Sequence, residues 1–272
     1  MIKTINLSYF YKSQEKKINA LKNINLKFNP EEFTVVLGKN GSGKSTLLKC
    51  LAGIEKDYGG EILIDGINIK EYQDIKENRG KIGFIFENPE TQLISPIVRE
   101  DIAFGPENLN LSLSEIEERI EYSQKLLKIE KLSHRDIHKI SAGEKQKVAL
   151  AGILALKPDI LISDEATSYL DISNRESLIG LFMELKKNNG KTVIHATHFP
   201  NESIFADRVI VLDEGEVVYQ GSPEELYLNP TFVDKLGIRV PYVFGLINEL
   251  KKKNIVLKKG IKDIEGLVES LC

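Results

Sequence analysis

The residues from Gly38 to Ser45, GKNGSGKS, have the types and spacing to grip a chain of phosphates. The run matches G-x-x-x-x-G-K-[ST]. Its glycines let backbone N–H groups converge on phosphate oxygens without Cβ obstruction. A helix opening just after it adds a favourable dipole for anions. Lys44 would reach the β- and γ-phosphates, and the Ser45 hydroxyl would ligate Mg²⁺. The residues expected to touch a nucleotide are Gly38, Lys39, Asn40, Gly41, Ser42, Gly43, Lys44, Ser45 and Thr46, and the ligand expected is Mg-ATP. A second stretch, ILISDEAT from Ile160 to Thr167, reads as a buried strand ending in two carboxylates. Asp164 would hold Mg²⁺ through water. Glu165 is placed to orient or deprotonate an attacking water, which is general-base work. The bland alternatives are a chance glycine turn and an acidic pair on an exposed strand end. A strand before the loop and a helix after it favour the phosphate reading.

Those residues need elements to hold them. Ile2 to Ser8 and Leu21 to Phe28 alternate like strands, and Phe33 to Leu37 is a short continuous apolar run of the kind found in buried parallel strands. Thr46 to Ala52 reads as the helix after the loop. Gly59 and Gly60 lead into EILI, Asp65-Gly66 makes a hairpin turn, and Ile82 to Phe86 is another buried strand. From Glu87 to Leu156 the pattern is helical. It includes an amphipathic helix from Leu113 to Leu127, with Ser114 and Glu117 as its capping box, and a helix from Gly143 to Leu156 halted by Pro158. Strands return at Ile160 to Ser163, Thr192 to Thr197 and Arg208 to Leu212, with a helix from Ser173 to Lys187 between the first two. Ser222-Pro223-Glu224-Glu225 opens a further helix. Strands alternating with helices argue for an α/β parallel sheet, with the block before ILIS as an inserted helical subdomain.

The chain has 272 residues, 42% apolar and 28% charged, with a net charge of −3, an ordinary globular composition. No basic surface of the kind that binds nucleic acid is indicated, and no nucleic-acid partner is expected. The lysines at Lys16 and Lys17, Lys251 to Lys253, and Lys258 and Lys259 read as solvated faces. Cys50 and Cys272 lack metal-ligand spacing, which fits a reducing compartment. The N-terminus lacks a signal-peptide core, and no apolar run approaches the ~20 residues that span a bilayer. Any work at a membrane is expected to be peripheral.

The order GKNGSGKS, then ISAGEKQKVALAGILALKPDILISDEATSYLD, then TVIHATH, resembles the ABC-transporter ATPases over about Ile2 to Leu228. ISAGE, Ile140 to Glu144, occupies the place of the family signature LSGGQ. The resemblance implies a P-loop NTPase fold with a RecA-like core, an antiparallel β subdomain and an inserted α-helical subdomain at about 88–156. It implies that Ser141, Ala142, Gly143 and Glu144 face the γ-phosphate held by a second subunit, and that Asp171 belongs to the loop crossing that interface. His198 would be the switch histidine and Tyr11 the aromatic that stacks on adenine; Tyr11 as a half-buried strand aromatic is the plainer alternative. His195 lacks motif support and reads as structural. FENPETQLISPIVREDIAFGPENLNL, Phe86 to Leu111, and LGIRVPYVFGLINELKKKNI, Leu236 to Ile255, are similar to the energy-coupling factor (ECF) subgroup. Residues 1–228 would then be the ATPase domain and 229–272 a small C-terminal extension. The resemblance implies uptake of a micronutrient, a vitamin or a metal ion. Its partners would be a second, paralogous ATPase, a transmembrane coupling subunit and a small substrate-binding membrane protein. The chain would sit at the cytoplasmic face of the cell membrane.

Three positions depart from the pattern. Glu87 stands where the family has a glutamine, and is expected near Mg²⁺ with Ser45 and Asp164; its carboxylate would favour the metal and repel the γ-phosphate. Ala142 replaces a glycine and resists positive φ. Glu144 replaces the signature glutamine. The competing readings are a soluble ABC ATPase and a low-turnover nucleotide-binding regulator not coupled to transport.

Overall fold

The computed structural model describes residues 1–12, 17–75, 78–258 and 260–271. Lys16, Lys259 and Cys272 lie outside the described residues. Cys50 is a buried free thiol.

The chain opens with strand β1 (Ile2–Lys12), antiparallel to β2 (Lys17–Ile24), and a short β3 (Lys27–Phe28) returns against the start of β1. Leu21 to Phe28 is therefore two strands, broken around Asn25, whose exposed side chain accepts from Asn6 N. Next come β4 (Phe33–Leu37), the loop, and α1 (Lys44–Leu51), which starts two residues before Thr46. The helix begins at Lys44 because Gly43, its N-cap, takes a left-handed φ of 104° and turns the chain into the helix. Strands β5 (Gly59–Ile64) and β6 (Ile67–Asn68) form the expected hairpin at Asp65-Gly66, both residues at positive φ. Helix α2 (Ile69–Asp74) and β7 (Ile82–Ile85) follow.

The helical block is α3 (Val98–Asn108), α4 (Leu113–Leu127) and α5 (Ala142–Ala155). The capping box of α4 lies two residues earlier than the sequence suggests. Ser112 accepts from Glu115 N, and Glu115 accepts from Ser112 N at 3.1 Å. Glu117 turns instead to Arg99 on α3. This register puts Ile116, Ile120 and Leu127 into the core.

After the block come β8 (Ile160–Asp164), α6 (Ile172–Asn189), β9 (Thr192–Thr197), β10 (Arg208–Asp213) and β11 (Glu216–Gly221). The central sheet runs β11-β10-β4-β9-β8-β7, with the inner pairs parallel and β11 antiparallel at its edge. Every residue of β4, β8 and β9 is buried, as strands covered on both faces must be. Alternate side chains go to opposite faces. Val36, Ile162, Ile194 and Ile210 pack against α1 and the β1–β5 sheet. Val35, Leu161 and Val193 face α5 and α6.

The remaining part of that second face, under Val209 and Val211 of β10, is covered by the C-terminal residues. Helices α7 (Pro223–Tyr227), α8 (Pro230–Lys235), α9 (Tyr242–Lys252) and α10 (Ile264–Leu271) follow in turn, and Tyr227, Val233, Phe244 and Ile247 share a core with Val209 and Val211. Burying a side chain such as Phe244 stabilises by about 2–3 kcal/mol. Residues after 229 thus complete the sheet's packing. Ser222 and Glu225 form the capping box of α7.

Candidate active site

The phosphate loop, both carboxylates and His198 meet at the carboxyl end of the central sheet. The loop leaves β4 and Asp164 closes β8. His198 follows β9, which pairs with both: Leu37 lies against Thr197, and Asp164 against Ala196. The carboxyl ends of parallel strands are where such sheets bind ligands.

Lys44 is the hub. Its side chain is 3% exposed, and its ammonium donates to Gly38 O at 2.9 Å and Lys39 O at 3.1 Å, and pairs with Glu165 Oε1 at 2.9 Å. Ser45 Oγ donates to Asp164 Oδ1 at 2.8 Å. His198 Nδ1 lies 2.7 Å from the other oxygen of Glu165. Glu165 itself turns the chain off β8 at a φ of 49°, a left-handed conformation that costs a side-chain-bearing residue about 1–2 kcal/mol. Its N–H still pairs with Ala196 O, so the strand holds it up to the turn.

The two carboxylates are driven apart electrostatically. Burial pushes Asp164 up, and the charges of Glu165 and Glu87 add to that against the Ser45 hydrogen bond and Lys49. Burial also pushes Glu165 up, but the Lys44 ammonium and His198 more than offset it and hold the carboxyl below the usual glutamate range. The two neighbouring acids are thus shifted in opposite directions, Asp164 up and Glu165 down.

The loop fits a phosphate chain with Mg²⁺. The Ser42 hydroxyl is buried and has no hydrogen-bond partner among the described residues. A Cβ at Gly41 would meet nothing within 4 Å, so the loop's outer face is clear. A Cβ at Gly38 would strike Leu212 O at 2.4 Å. No cluster of three or more acidic, histidine or cysteine side chains among the described residues could hold a metal unaided. A cation on Ser45 and Asp164 would take its other ligands from phosphate and water, the usual habit of Mg²⁺.

Other sequence-derived candidates fall as follows. Thr46 is buried, and its hydroxyl lies 3.0 Å from Tyr11 OH. Tyr11 is 42% exposed, with its ring edge-on to Tyr9 at 5.0 Å, so an aromatic face stands beside the loop. Asn40 is exposed. Glu87 is exposed at the end of β7, with no hydrogen bond or ion pair among the described residues, and only its charge reaches Asp164. Since an exposed charge is largely screened, Glu87→Gln is expected to leave ATP turnover within about threefold of wild type or above it. A phosphate-release assay checks this, and a collapse of activity would give the carboxylate a role of its own.

Ser141 caps α5 and Ala142, Gly143 and Glu144 form its first turn; no hydrogen bond among the described residues joins them to the phosphate loop of their own chain. Ser141 and Ala142 are exposed. Ala142 is the first helical residue and is not at positive φ, so alanine fits there and the backbone concern is removed. Glu144 closes a capping box, accepting from Ser141 N at 2.8 Å, and that donation lowers its pKa. Asp171 caps α6 by accepting from Asn174 N at 2.8 Å. His195 is wholly buried between Ser163 and Glu202.

Three residues near the site have no role assigned from the sequence, although Gln92 falls within the Phe86 to Leu111 stretch. Gln92 accepts from Phe86 N at 3.2 Å and donates to Ala149 O at 3.3 Å, tying the Glu87 segment to α5. Glu202 and Arg175 form a pair behind Glu165. Only burial and proximity reveal them.

Comparison with known proteins gives a consistent picture. Residues 21–168 match the family described as ABC transporter. The chain is 39% identical over its full length, and 99% of the relative's, to the energy-coupling factor transporter ATP-binding protein EcfA1 of Caldanaerobacter subterraneus. Among solved structures it resembles CbiO1 of Clostridium perfringens, part of the ABC transporter complex CbiONQ. The TM-score is 0.75 at 36% identity, over 90% of this chain and 98% of that one. It also resembles the dimeric ATP-binding cassette MJ0796 in a post-hydrolysis state with ADP and phosphate. There the TM-score is 0.75 at 33% identity, over 82% of this chain and 99% of that one.

Proposed function

The chain belongs to the ABC transporter family, in its energy-coupling factor branch, and we infer from its site how it hydrolyses ATP for transport. It is the ATP-binding and hydrolysing subunit of an ECF-type transporter, working with ATP and Mg²⁺. Among the described residues no helix is long and apolar enough to cross a membrane. The observation that carries the mechanism is the contact of Lys44 and His198 with the two oxygens of one carboxylate, Glu165.

In this reading Gly38 to Thr46 wrap the phosphates, Lys44 neutralises the outer ones, and the aromatic face of Tyr11 stacks on adenine. Mg²⁺ on Ser45 and Asp164, with Glu87 nearby, would supply further charge neutralisation. Glu165 accepts the proton of the attacking water, and His198 orients Glu165 while reporting the γ-phosphate. The exposed Ser141 to Glu144 segment and Asp171 would meet the nucleotide of a second ATPase subunit, making each site a shared one.

Glu87 and the altered signature argue for a paralogous partner. In a homodimer both sites would carry both departures; in a heterodimer they divide between two unequal sites. The remaining partners in this reading are a transmembrane coupling subunit and a small substrate-binding membrane protein carrying a vitamin or metal ion, with the ATPase on the cytoplasmic face of the cell membrane. Residues 229–272 would be an extension of the ATPase domain. Purifying the tagged chain from native membranes tests this. The expected eluate contains a second, different ATPase and a multi-span membrane protein. An active transporter holding two copies of this chain and no paralogue would overturn the heterodimer.

A further inference from the structure

Behind Glu165 and His198 lies a polar chain, centred on the buried Glu202 and His195, to which no motif assigns a role. His195, in the middle of β9, has Nδ1 3.0 Å from Ser163 Oγ and Nε2 3.0 Å from Glu202 Oε2. Glu202 sits on the short 3₁₀ turn Pro200–Ser203, 4% exposed. It accepts from Thr167 Oγ1 at 3.1 Å and faces Arg175 Nε at 3.4 Å. Arg175, in the first turn of α6, lays its guanidinium over the Phe199 ring at 3.7 Å and donates to Leu170 O at 3.3 Å. The Phe199 ring is 4.0 Å from the His198 ring.

Each contact lands beside a site residue. Ser163 precedes Asp164, and Thr167 is two residues beyond Glu165. Phe199 follows His198, and Leu170 precedes Asp171. A carboxylate buried to this extent needs partners to remain charged. Burial pushes Glu202 up, but His195, Thr197 and Thr167 hold it below the usual glutamate range. The turn bearing it is anchored by Tyr227, whose hydroxyl lies 2.5 Å from Ser203 Oγ. Arg175 makes three different contacts at once: an ion pair, a carbonyl hydrogen bond and a stack. A planar guanidinium can do this and an ammonium cannot.

We propose that Arg175 and Glu202 are positioning residues for hydrolysis, holding the segment Glu165–Asp171 and the His198–Phe199 pair in one register. The arrangement joins the end of β8, the end of β9 and the start of α6 through a single ion pair whose carboxylate is buried and whose guanidinium is half-buried, so a shift in one is felt by the others. A displacement of about 1 Å at the reacting groups is enough to cost a hundredfold in rate. This inference rests on the reading of Glu165 as the base.

Arg175→Lys separates positioning from structure, because a lysine keeps a positive charge facing Glu202 but loses the stack and the directed bond to Leu170 O. The expected result for the full chain in its complex is a kcat for ATP about tenfold lower, with KM changed by less than about twofold. Its Tm is expected within about 3 °C of wild type. Phe199→Leu, which removes only the aromatic face, is expected to show the same split. Wild-type kcat in Arg175→Lys, or a kcat that falls only in step with Tm across both variants, overturns the proposal. Both variants retain Glu165, so the base assignment is tested independently by replacing Glu165 itself.

Discussion

Glu165→Gln is expected to lower the kcat of ATP hydrolysis about 10²–10³-fold while leaving Mg-ATP binding within about threefold of wild type. Glutamine keeps the volume of the side chain and can still accept from Lys44, whose ammonium is 2.9 Å from Glu165 Oε1. It cannot take a proton from water. The charge is lost where it is held most firmly, since Lys44 and His198 outweigh burial and keep the carboxyl below its ordinary range. The substitution therefore has a second signature. A carboxyl with a lowered folded-state pKa contributes stability above its unfolded value, and that contribution disappears as pH falls through the lowered one. Wild type should be the more stable protein at neutral pH, and the gap should close in acid. Single-turnover phosphate release and denaturant unfolding at two pH values measure the two effects. Turnover near wild type would remove Glu165 from the role of base.

The site was readable because its chemistry is local in sequence. GKNGSGKS needs only its own glycines and the strand and helix on either side, and both are where the pattern places them. Asp164 and Glu165 end a wholly buried strand, which a run of ILIS announces. What escaped the sequence depends on packing between distant segments. Strand β11 is an edge strand with polar, alternately exposed residues, so its apolar signal is weak. Residues 229–272 read from sequence only as a small extension, and it is the side of Val209 and Val211 they cover that shows what they do for the sheet. The cap of α4 is ambiguous in sequence because Ser112 and Ser114 are each followed three residues later by a glutamate, and the structure uses the first pair. Glu202 has no spacing relation to any motif. Its partners Thr167, Arg175 and His195 come from three other elements, and a single sequence offers no means of joining them.

Lys44→Ala is expected to weaken Mg-ATP binding at least about a hundredfold, because charge-assisted hydrogen bonds to two phosphates are worth about 1.5–3 kcal/mol each. The same change also damages the protein without any nucleotide. Lys44 is 4% exposed, and its removal leaves Gly38 O and Lys39 O without their donor and Glu165 Oε1 without its cation. Removing one member of a buried ion pair typically costs about 3–5 kcal/mol. Here the cost should lie at or below the lower end, because His198 still lies 2.7 Å from Glu165 Oε2. A low affinity could then reflect a damaged fold as easily as a lost contact, and a double variant separates them. In Lys44→Ala with Glu165→Gln the carboxylate that lost its lysine is gone too, so unfolding stability should recover by about 1–2 kcal/mol relative to Lys44→Ala alone. Affinity for Mg-ATP, measured by titration calorimetry, should stay low in both. If affinity returned with stability, Lys44 would be a structural cation for Glu165, and the phosphates would be gripped by the loop's backbone alone.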